Sequence, residues 1–231
     1  MINFKILTLF PELFPGPLSA SVTGTALEKK LWSLEAINIR DFAKDERKTV
    51  DDTPYGGGAG MVLKADILAD AIEKNFKTES KIFYLSPRGK TLTQKKAREL
   101  AQEKEIILLC GRYEGVDQRV LDEFAIEEIS IGDYVLSGGE LAAFIVIDTV
   151  LRNVDGVLGA DESLAEESFG SKENSQYENL LEYPHFTRPA NWRGREVPEV
   201  LTSGHHKKIN EWRKEKAIEI TKKNRPDLLK N

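Results

Sequence analysis

Short apolar runs alternate with longer helical patterns along the first 160 residues, and this alternation restricts the fold more than any other feature. The runs carry apolar or β-branched residues and stop at Pro or Gly, as buried strands do: NFKILTLF, KIFYLSP, EIILLCG and EEISIGD. Apolar residues three to four positions apart predict helices in LKADILADAIEKNF, TQKKARELAQEK and GELAAFIVIDTVLRNV. Strands alternating with helices in this way predict an α/β fold with a mostly parallel sheet.

Three of the predicted strands end in loops that contain glycine: YLSPRGK (84–90), CGRYEGV (110–116) and IGDYVLSGGE (131–140). Right-handed crossovers bring the carboxyl ends of parallel strands to one edge of a sheet, where such folds bind their ligands. Glycine lets the backbone approach a ligand closely, so three such loops can enclose a nucleoside-like molecule with main-chain groups. For any one loop taken alone, ordinary turn chemistry is the alternative.

Two segments resemble phosphate-binding motifs without matching them. YLSPRGKT ends like a P-loop in Gly89, Lys90 and Thr91, but Tyr84 stands where the first glycine is required. YGGGAGM has Met61 in place of the last glycine of a dinucleotide fingerprint, and the preceding TVDDTP is not predicted to be a strand. A nucleotide phosphohydrolase that uses the GKT sequence is therefore a weak alternative.

The composition is that of a globular protein, with 40% hydrophobic and 31% charged residues among 231. No apolar run reaches the ~18 residues of a membrane span, and the N-terminus lacks the features of a signal peptide. We therefore expect a cytoplasmic protein with no membrane association. One cysteine and three histidines form no zinc-binding pattern, so we expect no structural metal site.

Charge is distributed unevenly along the chain. The net charge is −5, yet residues 205–231 carry nine Lys or Arg and four Asp or Glu, a net +5, which leaves −10 for residues 1–204. Between Asp161 and Glu182 lie seven acids and one base among Ser, Asn and Gly, a composition typical of an exposed connector. We predict the domain boundary in this acidic segment.

A set of longer motifs is more specific than any of these fragments. They occur in this order: LTLFPELF, VTGTA, RDFAKDERKTVDDTPYGGGAGM, YLSPRGK, LLCGRYEGVD, SIGDYVLSGGEL, GVLG, ESF and LLEYPHFTRP. In these motifs the chain resembles, nearly end to end, the bacterial tRNA (guanine-N1)-methyltransferase family TrmD of the SPOUT superfamily. The resemblance implies methyl transfer from S-adenosyl-L-methionine to N1 of the guanine at tRNA position 37, next to the anticodon.

The resemblance also implies an architecture. It predicts a deep trefoil knot in an α/β catalytic domain at 1–160, a flexible acidic linker at 161–178, and a small helical tRNA-binding domain at 179–231. It further predicts an obligate homodimer with a largely apolar interface.

By resemblance, the three glycine-containing loops surround the cofactor. The implied cofactor-binding residues are Tyr84, Leu85, Ser86, Pro87, Gly89, Gly111, Tyr113, Glu114, Ile131, Gly132, Tyr134, Leu136, Gly138 and Gly139. Asp51, Gly57 and Gly58, in and before the GGGAGM segment, are implied to lie near the target guanine, although a tight surface turn is the alternative there.

The chemistry requires a base, because N1 of guanine carries a proton and is a poor nucleophile until that proton leaves. Negative charge then develops on O6, which a cation can stabilise. The resemblance places Arg152 in that role and Glu167 as the base, where relatives usually have aspartate. Asp161 and Glu166 are alternative bases, and solvated linker acids are a further interpretation.

The change to glutamate leaves a catalytically impaired RNA-binding homologue as the alternative function, and the participation of Mg²⁺ is open as well.

The basic tail is predicted to form a helix from about Lys207 to Asn224. Its apolar stripe consists of Ile209, Trp212, Ala217 and Ile220. This helix leaves Lys208, Arg213, Lys214, Lys222 and Lys223 for RNA phosphates, unless they form a merely solvated face. Because the base and the basic surface lie in different parts of the chain, we expect the dimer to complete the active site.

Overall fold

The computed structural model describes residues 1–76, 80–158, 166–170 and 176–229. Asp161, one of the alternative bases, lies outside these residues. The chain divides into two compact units, Met1–Gly159 and Ala160–Asn231.

The first unit is built on a five-stranded parallel sheet. The strands of this unit in chain order are β1 (Ile2–Thr8), β2 (Trp32–Asn38), β3 (Asp51–Asp52), β4 (Val62–Leu63), β5 (Lys81–Thr91), β6 (Glu105–Cys110) and β7 (Glu127–Ser130). The sheet order is β2-β1-β6-β5-β7, and every neighbouring pair is parallel. Strands β3 and β4 form a separate antiparallel pair. The predicted α/β fold with a mostly parallel sheet is confirmed.

Strand β2 was not among the predicted strands. It lies at the edge of the sheet, where most of its residues are only partly buried, and Ser33 and Glu35 interrupt its apolar character. A half-buried edge strand does not need the continuous apolar run that identifies a central strand from sequence.

The helices of the first unit are α1 (Ser21–Glu28), α2 (Ala65–Asn75), α3 (Gln94–Ala101), α4 (Gln118–Glu123) and α5 (Glu140–Leu151). Short 3₁₀ helices occur at Pro11–Leu13, Gly16–Ser19 and Ile39–Phe42. Helices α2, α3 and α5 lie within the three predicted segments. Helix α3 begins where Thr93 Oγ1 accepts a hydrogen bond from the backbone N–H of Lys96, so a hydroxyl satisfies one of the free amides of the first turn.

The core of the first unit lies on both faces of the sheet. In β6, Ile106 and Leu108 belong to the apolar cluster that includes α5, whereas Ile107 and Leu109 belong to the cluster that includes α2. Successive side chains of a strand point to opposite faces, so a strand covered on both sides must be apolar at every position. This explains the continuous run EIILLC.

The second unit contains β8 (Asn191–Trp192), β9 (Arg195–Glu196), α6 (Glu199–Thr202), α7 (His206–Asn224) and a 3₁₀ helix at Pro226–Leu229. Its small core joins Tyr177, Leu180 and Tyr183 to Ala217 of α7. The predicted stripe omitted Thr221, which is fully buried. Its hydroxyl oxygen accepts a 2.8 Å hydrogen bond from the backbone N–H of Leu181, which compensates for the loss of water. In the part of the chain described, no helix combines the length and apolar character needed to cross a membrane.

Candidate functional site

The loops that follow β5, β6 and β7 line one cavity of about 240 Å³ at the carboxyl edge of the sheet. Twelve of the fourteen predicted cofactor residues line it: Leu85, Ser86, Pro87, Gly111, Tyr113, Glu114, Ile131, Gly132, Tyr134, Leu136, Gly138 and Gly139. The parallel sheet brings these loops together because the strands run in the same direction and are hydrogen-bonded neighbours.

Tyr84 does not line the cavity but packs against the glycines of the β6 loop. It is buried in the core cluster on the α2 face, and its hydroxyl lies 2.7 Å from the position that a Cβ would take at Gly111. A Cβ at Gly115 would be 2.9 Å from the same hydroxyl. Burial raises the pKa of the Tyr84 phenol, so the group stays neutral. Tyr84 therefore fills the space that the two glycines leave under the β6 loop.

Gly89, the other residue outside the lining, allows β5 to return to β7 after the loop. Leu85 and Lys90 both pair with Ile129, so the residues between them bulge out of the sheet towards the cavity. A Cβ at Gly89 would lie 2.4 Å from the backbone of Glu128. Since Lys90 resumes strand pairing, the GKT sequence does not form the loop-to-helix turn of a P-loop.

The glycines of the third loop have a packing role within the protein. Gly139 donates its N–H to the carbonyl oxygen of Gly111 at 2.9 Å, and a Cβ there would lie 2.7 Å from the Cα of Cys110. A Cβ at Gly138 would lie 2.3 Å from Nε of Arg112. Close contact between the β6 and β7 loops thus requires both residues to lack a side chain.

A buried polar network joins these loops to the end of β1, and no motif or spacing in the sequence indicates it. Glu140 is 1% exposed; one carboxylate oxygen accepts a 2.8 Å hydrogen bond from the Thr8 hydroxyl, and the other lies 2.9 Å from Nη2 of Arg112. Nη1 of Arg112 donates to the carbonyl oxygen of Ser137 at 3.2 Å, and the guanidinium lies 4.3 Å from the centre of the Phe10 ring. An acidic residue at the start of a helix is usually solvated, so the sequence does not distinguish Glu140 from a surface acid. Its burial shows that it belongs to this network.

The lining suits a molecule with an apolar ring and a cationic part. Leu85, Ile129 and Ala142 provide an apolar floor, while Tyr113 and Tyr134 are about half exposed at the rim. Arg112 is paired with Glu140, which leaves the carboxylate of Glu114 as an anionic group of the lining. S-adenosyl-L-methionine combines an adenosine with sulfonium and ammonium cations, so these residues fit it.

The glycine-rich segment before β4 adjoins the cavity through Glu114. The N–H of Glu114 donates to the carbonyl oxygen of Met61 at 2.9 Å, and a Cβ at Gly60 would lie 2.5 Å from the Glu114 side chain. Gly57 and Gly58 form the exposed tip of this segment, with positive φ angles of 77° and 121° that favour glycine. Asp51 lies in β3 at the base of the segment, where it pairs with Leu63.

The two predicted catalytic residues lie in different units. Arg152 is half-buried directly after the last residue of α5, and its N–H donates to the carbonyl oxygen of Asp148. Glu167 is half-buried in the segment 166–170 of the second unit.

Hydrogen bonds hold the segment 166–170 within the second unit. The N–H of Phe169 donates to the carbonyl oxygen of Leu180 at 2.8 Å, and the N–H of Glu182 donates to the hydroxyl oxygen of Ser168 at 2.9 Å. These bonds flank Glu167 on its C-terminal side. The described part of the predicted linker is therefore bonded to residues 180–182.

Glu166, named as an alternative base, is held by two side chains. It accepts a hydrogen bond from the Tyr183 hydroxyl and a 3.1 Å hydrogen bond from Nη1 of Arg213 on α7. The Arg213 guanidinium also lies 4.9 Å from the centre of the Tyr183 ring. Burial, followed by the bond to Glu166, raises the pKa of Tyr183, so the phenol remains a donor. Arg213, predicted to bind phosphate, thus has an acidic partner inside the chain, whereas Lys208 is exposed on α7.

The chain matches a family model and many curated proteins over nearly its whole length. The model for tRNA (Guanine-1)-methyltransferase TrmD matches residues 2–231. A tRNA (guanine-N(1)-)-methyltransferase of Rhodospirillum rubrum is 58% identical over 96% of this chain and 90% of its own length. Proteins of the same name from Pelagibacter ubique and Wolbachia pipientis wMel are 54% and 51% identical, covering 99% and 98% of this chain and 97% and 95% of their own. The chain therefore belongs to the tRNA (guanine-1)-methyltransferase family TrmD.

Proposed function

We propose that the protein transfers a methyl group from S-adenosyl-L-methionine to N1 of the guanine at position 37 of tRNA. The observation that carries this proposal is the single cavity lined by the three glycine-containing loops, in a chain that the family model matches from residue 2 to 231. The cofactor class follows from the family's reaction, and the lining fits its apolar and cationic parts.

In this proposal the cavity binds the adenosine between the loops and places the methionine end near Glu114. The twelve lining residues act mainly through main-chain groups and close approach, while Tyr84 and Gly89 keep the loops in place. The bound cofactor supplies an electrophilic methyl group on its sulfonium. Asp51, Gly57 and Gly58 hold the guanine or its neighbour, since their segment adjoins Glu114. A contribution from Mg²⁺ is left open; among the described residues, no group of three or more His, Cys, Asp or Glu could hold a metal ion.

Proton removal is assigned to Glu167 and charge stabilisation to Arg152. As the N1–H bond breaks, the Glu167 carboxylate would accept the proton and the electron pair would remain on N1. A bound cofactor would supply its methyl group to that nitrogen and leave as the neutral thioether. The Arg152 guanidinium stabilises the negative charge that develops on O6. Glu166 is the weaker candidate for the base, because Tyr183 and Arg213 already occupy its carboxylate.

The second unit is proposed to bind tRNA, with residues 1–160 as the catalytic domain, 161–178 as the linker and 179–231 as the tRNA-binding domain. Helix α7 supports this role because Lys208 and most of its other cations are exposed. Since tRNA is the proposed substrate, a cytoplasmic location follows.

A homodimer and a trefoil knot complete the proposal. Leu141 and Ile145 lie one turn apart on α5 and are 56% and 43% exposed, and Val135 in the preceding loop is 85% exposed. An apolar helix face of this kind is typical of a subunit interface. We propose that the dimer brings together the parts of the active site. The knot rests on family membership alone.

The proposal is tested by single-turnover methylation of a tRNA transcript with guanine at position 37. Glu167→Gln is expected to lower the rate by about a hundredfold or more, the usual scale for general-base catalysis, with S-adenosyl-L-methionine affinity unchanged in calorimetric titration. Arg152→Ala should cause a comparable loss. Wild-type protein that binds tRNA and does not methylate it would support the impaired homologue instead.

Glu167→Asp probes the replacement of the family's aspartate. The shorter side chain withdraws the carboxylate by about 1.5 Å, one carbon–carbon bond, which matters for a positioned base. Activity near wild type would mean that the segment adjusts to either length. If Glu167→Gln is fully active and Asp161→Asn is not, the base has been assigned to the wrong residue.

A further inference from the structure

The hairpin formed by β8 and β9 presents an exposed basic and aromatic surface that the assignments above do not use. Asn191 pairs with Glu196 and Trp192 with Arg195, which leaves Arg193 and Gly194 as a two-residue turn. Both turn residues have positive φ, 54° and 77°, as in a tight type I′ hairpin turn. Residues 185–196 are exposed throughout. The hairpin is therefore a short, well-defined projection from the second unit.

Trp192 is the main feature of this surface. It is 54% exposed, and the guanidinium of Arg193 lies 5.0 Å from the centre of its ring. Arg195 lies directly opposite Trp192 in the antiparallel pair, so both side chains leave the hairpin on the same face. A large indole exposed in this way and flanked by two guanidinium groups is poorly suited to a structural role, because it contributes little to any core.

We propose that this hairpin is a separate RNA-binding element, in which Trp192 stacks on an unpaired base of the tRNA while Arg193 and Arg195 bind the flanking phosphates. The proposal rests on the proposed function, since that function supplies the tRNA. An exposed ring accepts a base by stacking, and guanidinium groups pair with phosphate oxygens in a fixed geometry.

Charge supports RNA as the partner. Residues 1–204 carry −10 overall, yet the hairpin 191–196 has two arginines and one glutamate. Nearby Arg188 is also exposed, and it adds a third guanidinium to the same stretch of chain. The hairpin thus exposes guanidinium groups next to an indole on an otherwise acidic chain. Proteins use this combination to recognise single-stranded RNA loops.

The test measures binding of fluorescently labelled tRNA by anisotropy, without cofactor, at several salt concentrations. Trp192→Ala should weaken binding by about tenfold with an unchanged salt dependence, because it removes stacking and no charge. Trp192→Phe should restore most of the affinity. The Arg193→Gln, Arg195→Gln double variant should weaken binding and reduce the slope of log K against log salt by about 0.7–0.9 for each lost contact.

Lys104→Gln is the matched control for charge removal. Lys104 is exposed and precedes β6, so it lies at the sheet edge opposite the cavity, and its variant should bind tRNA with the wild-type salt slope. In single-turnover methylation at saturating tRNA, the hairpin variants should match the wild-type rate, because a contact of this kind contributes to binding in the ground and transition states alike.

The outcomes separate this proposal from the proposed function. If the wild-type protein neither binds nor methylates tRNA, the proposed function fails. If the wild type does both and the hairpin variants bind tRNA with wild-type affinity and salt slope, the hairpin proposal is overturned and the function stands. Altered sedimentation of the variants with intact tRNA binding would also overturn it, by assigning the hairpin to a protein contact.

Discussion

Glu140 shows how a single residue can hold three loops together at the candidate site. Its carboxylate contacts Thr8 at the end of β1 and Arg112 after β6, and Glu140 itself begins α5 directly after the β7 loop. Burying a charge is costly unless partners compensate for the lost water, and here a hydroxyl and a guanidinium do so. The shape of the cavity therefore depends on a residue that does not line it.

Glu140→Gln keeps the size of the side chain and removes the charge that faces Arg112. We expect the free energy of unfolding to fall by about 1–3 kcal/mol, because the guanidinium loses its partner in a partly buried position. Urea denaturation followed by circular dichroism measures this. Glu128→Gln is the control, since it removes an ion pair with Arg88, whose side chain is 60% exposed, and should cost less than about 1 kcal/mol. Equal losses in the two variants would contradict the role given to Glu140.

At the scale of elements, a hydrogen-bonded ion pair joins the segment 166–170 to helix α7, which is proposed to bind tRNA. Glu166 is bonded to Arg213 of α7 and to Tyr183, and the next residue is the proposed base. A base must be held within a narrow range of positions, and a small displacement can lower a rate substantially. We infer that Glu166 is a positioning residue for Glu167.

Glu166→Gln should lower the single-turnover methylation rate by about tenfold while S-adenosyl-L-methionine affinity stays the same, since positioning errors of this kind act on the chemical step. Combining it with Arg213→Gln should cost less than the sum of the single changes, because the two side chains share one interaction. Glu199→Gln, in the exposed first turn of α6, is the control and should have no effect. A loss of a hundredfold or more in Glu166→Gln together with a fully active Glu167→Gln would make Glu166 the base.

At the scale of the whole molecule, the exposed apolar face of α5 bears on assembly. Leu141 and Ile145 lie on a helix whose other side is packed in the core through Ala143, Val146 and Ile147. An apolar face left in water is unfavourable. In a symmetric dimer one interface buries this face on both subunits.

Leu141→Glu is expected to convert a dimer into a monomer, because a twofold contact would bury two new charges without partners. Sedimentation velocity at assay concentrations, together with methylation activity, measures the effect. Glu73→Lys changes the charge of an exposed position on α2, which packs on the other face of the sheet, and should leave the dimer intact. A wild-type protein that is active as a monomer would refute the dimer proposal.

Features that depend on neighbouring residues could be predicted from the amino-acid sequence. Strand β6 is a continuous apolar run because it is covered on both faces, and helices α2, α3 and α5 carry the periodic spacing of elements packed on one side or within the core. Once the strands are parallel, their loops meet at one edge, so the three glycine-containing loops could be grouped from the sequence. The individual cofactor residues within these loops came from the family resemblance.

The remaining features arise from contacts between distant parts of the folded chain. The order β2-β1-β6-β5-β7 and the half-buried edge strand β2 have no local signature. Thr8 and Glu140 are 132 residues apart, and Glu166 and Arg213 are 47 apart, so no periodic pattern could have paired them. Each of these four polar side chains is of a type that is usually solvated at a protein surface. Its role arises from burial and from partners that the folded chain brings within hydrogen-bonding distance.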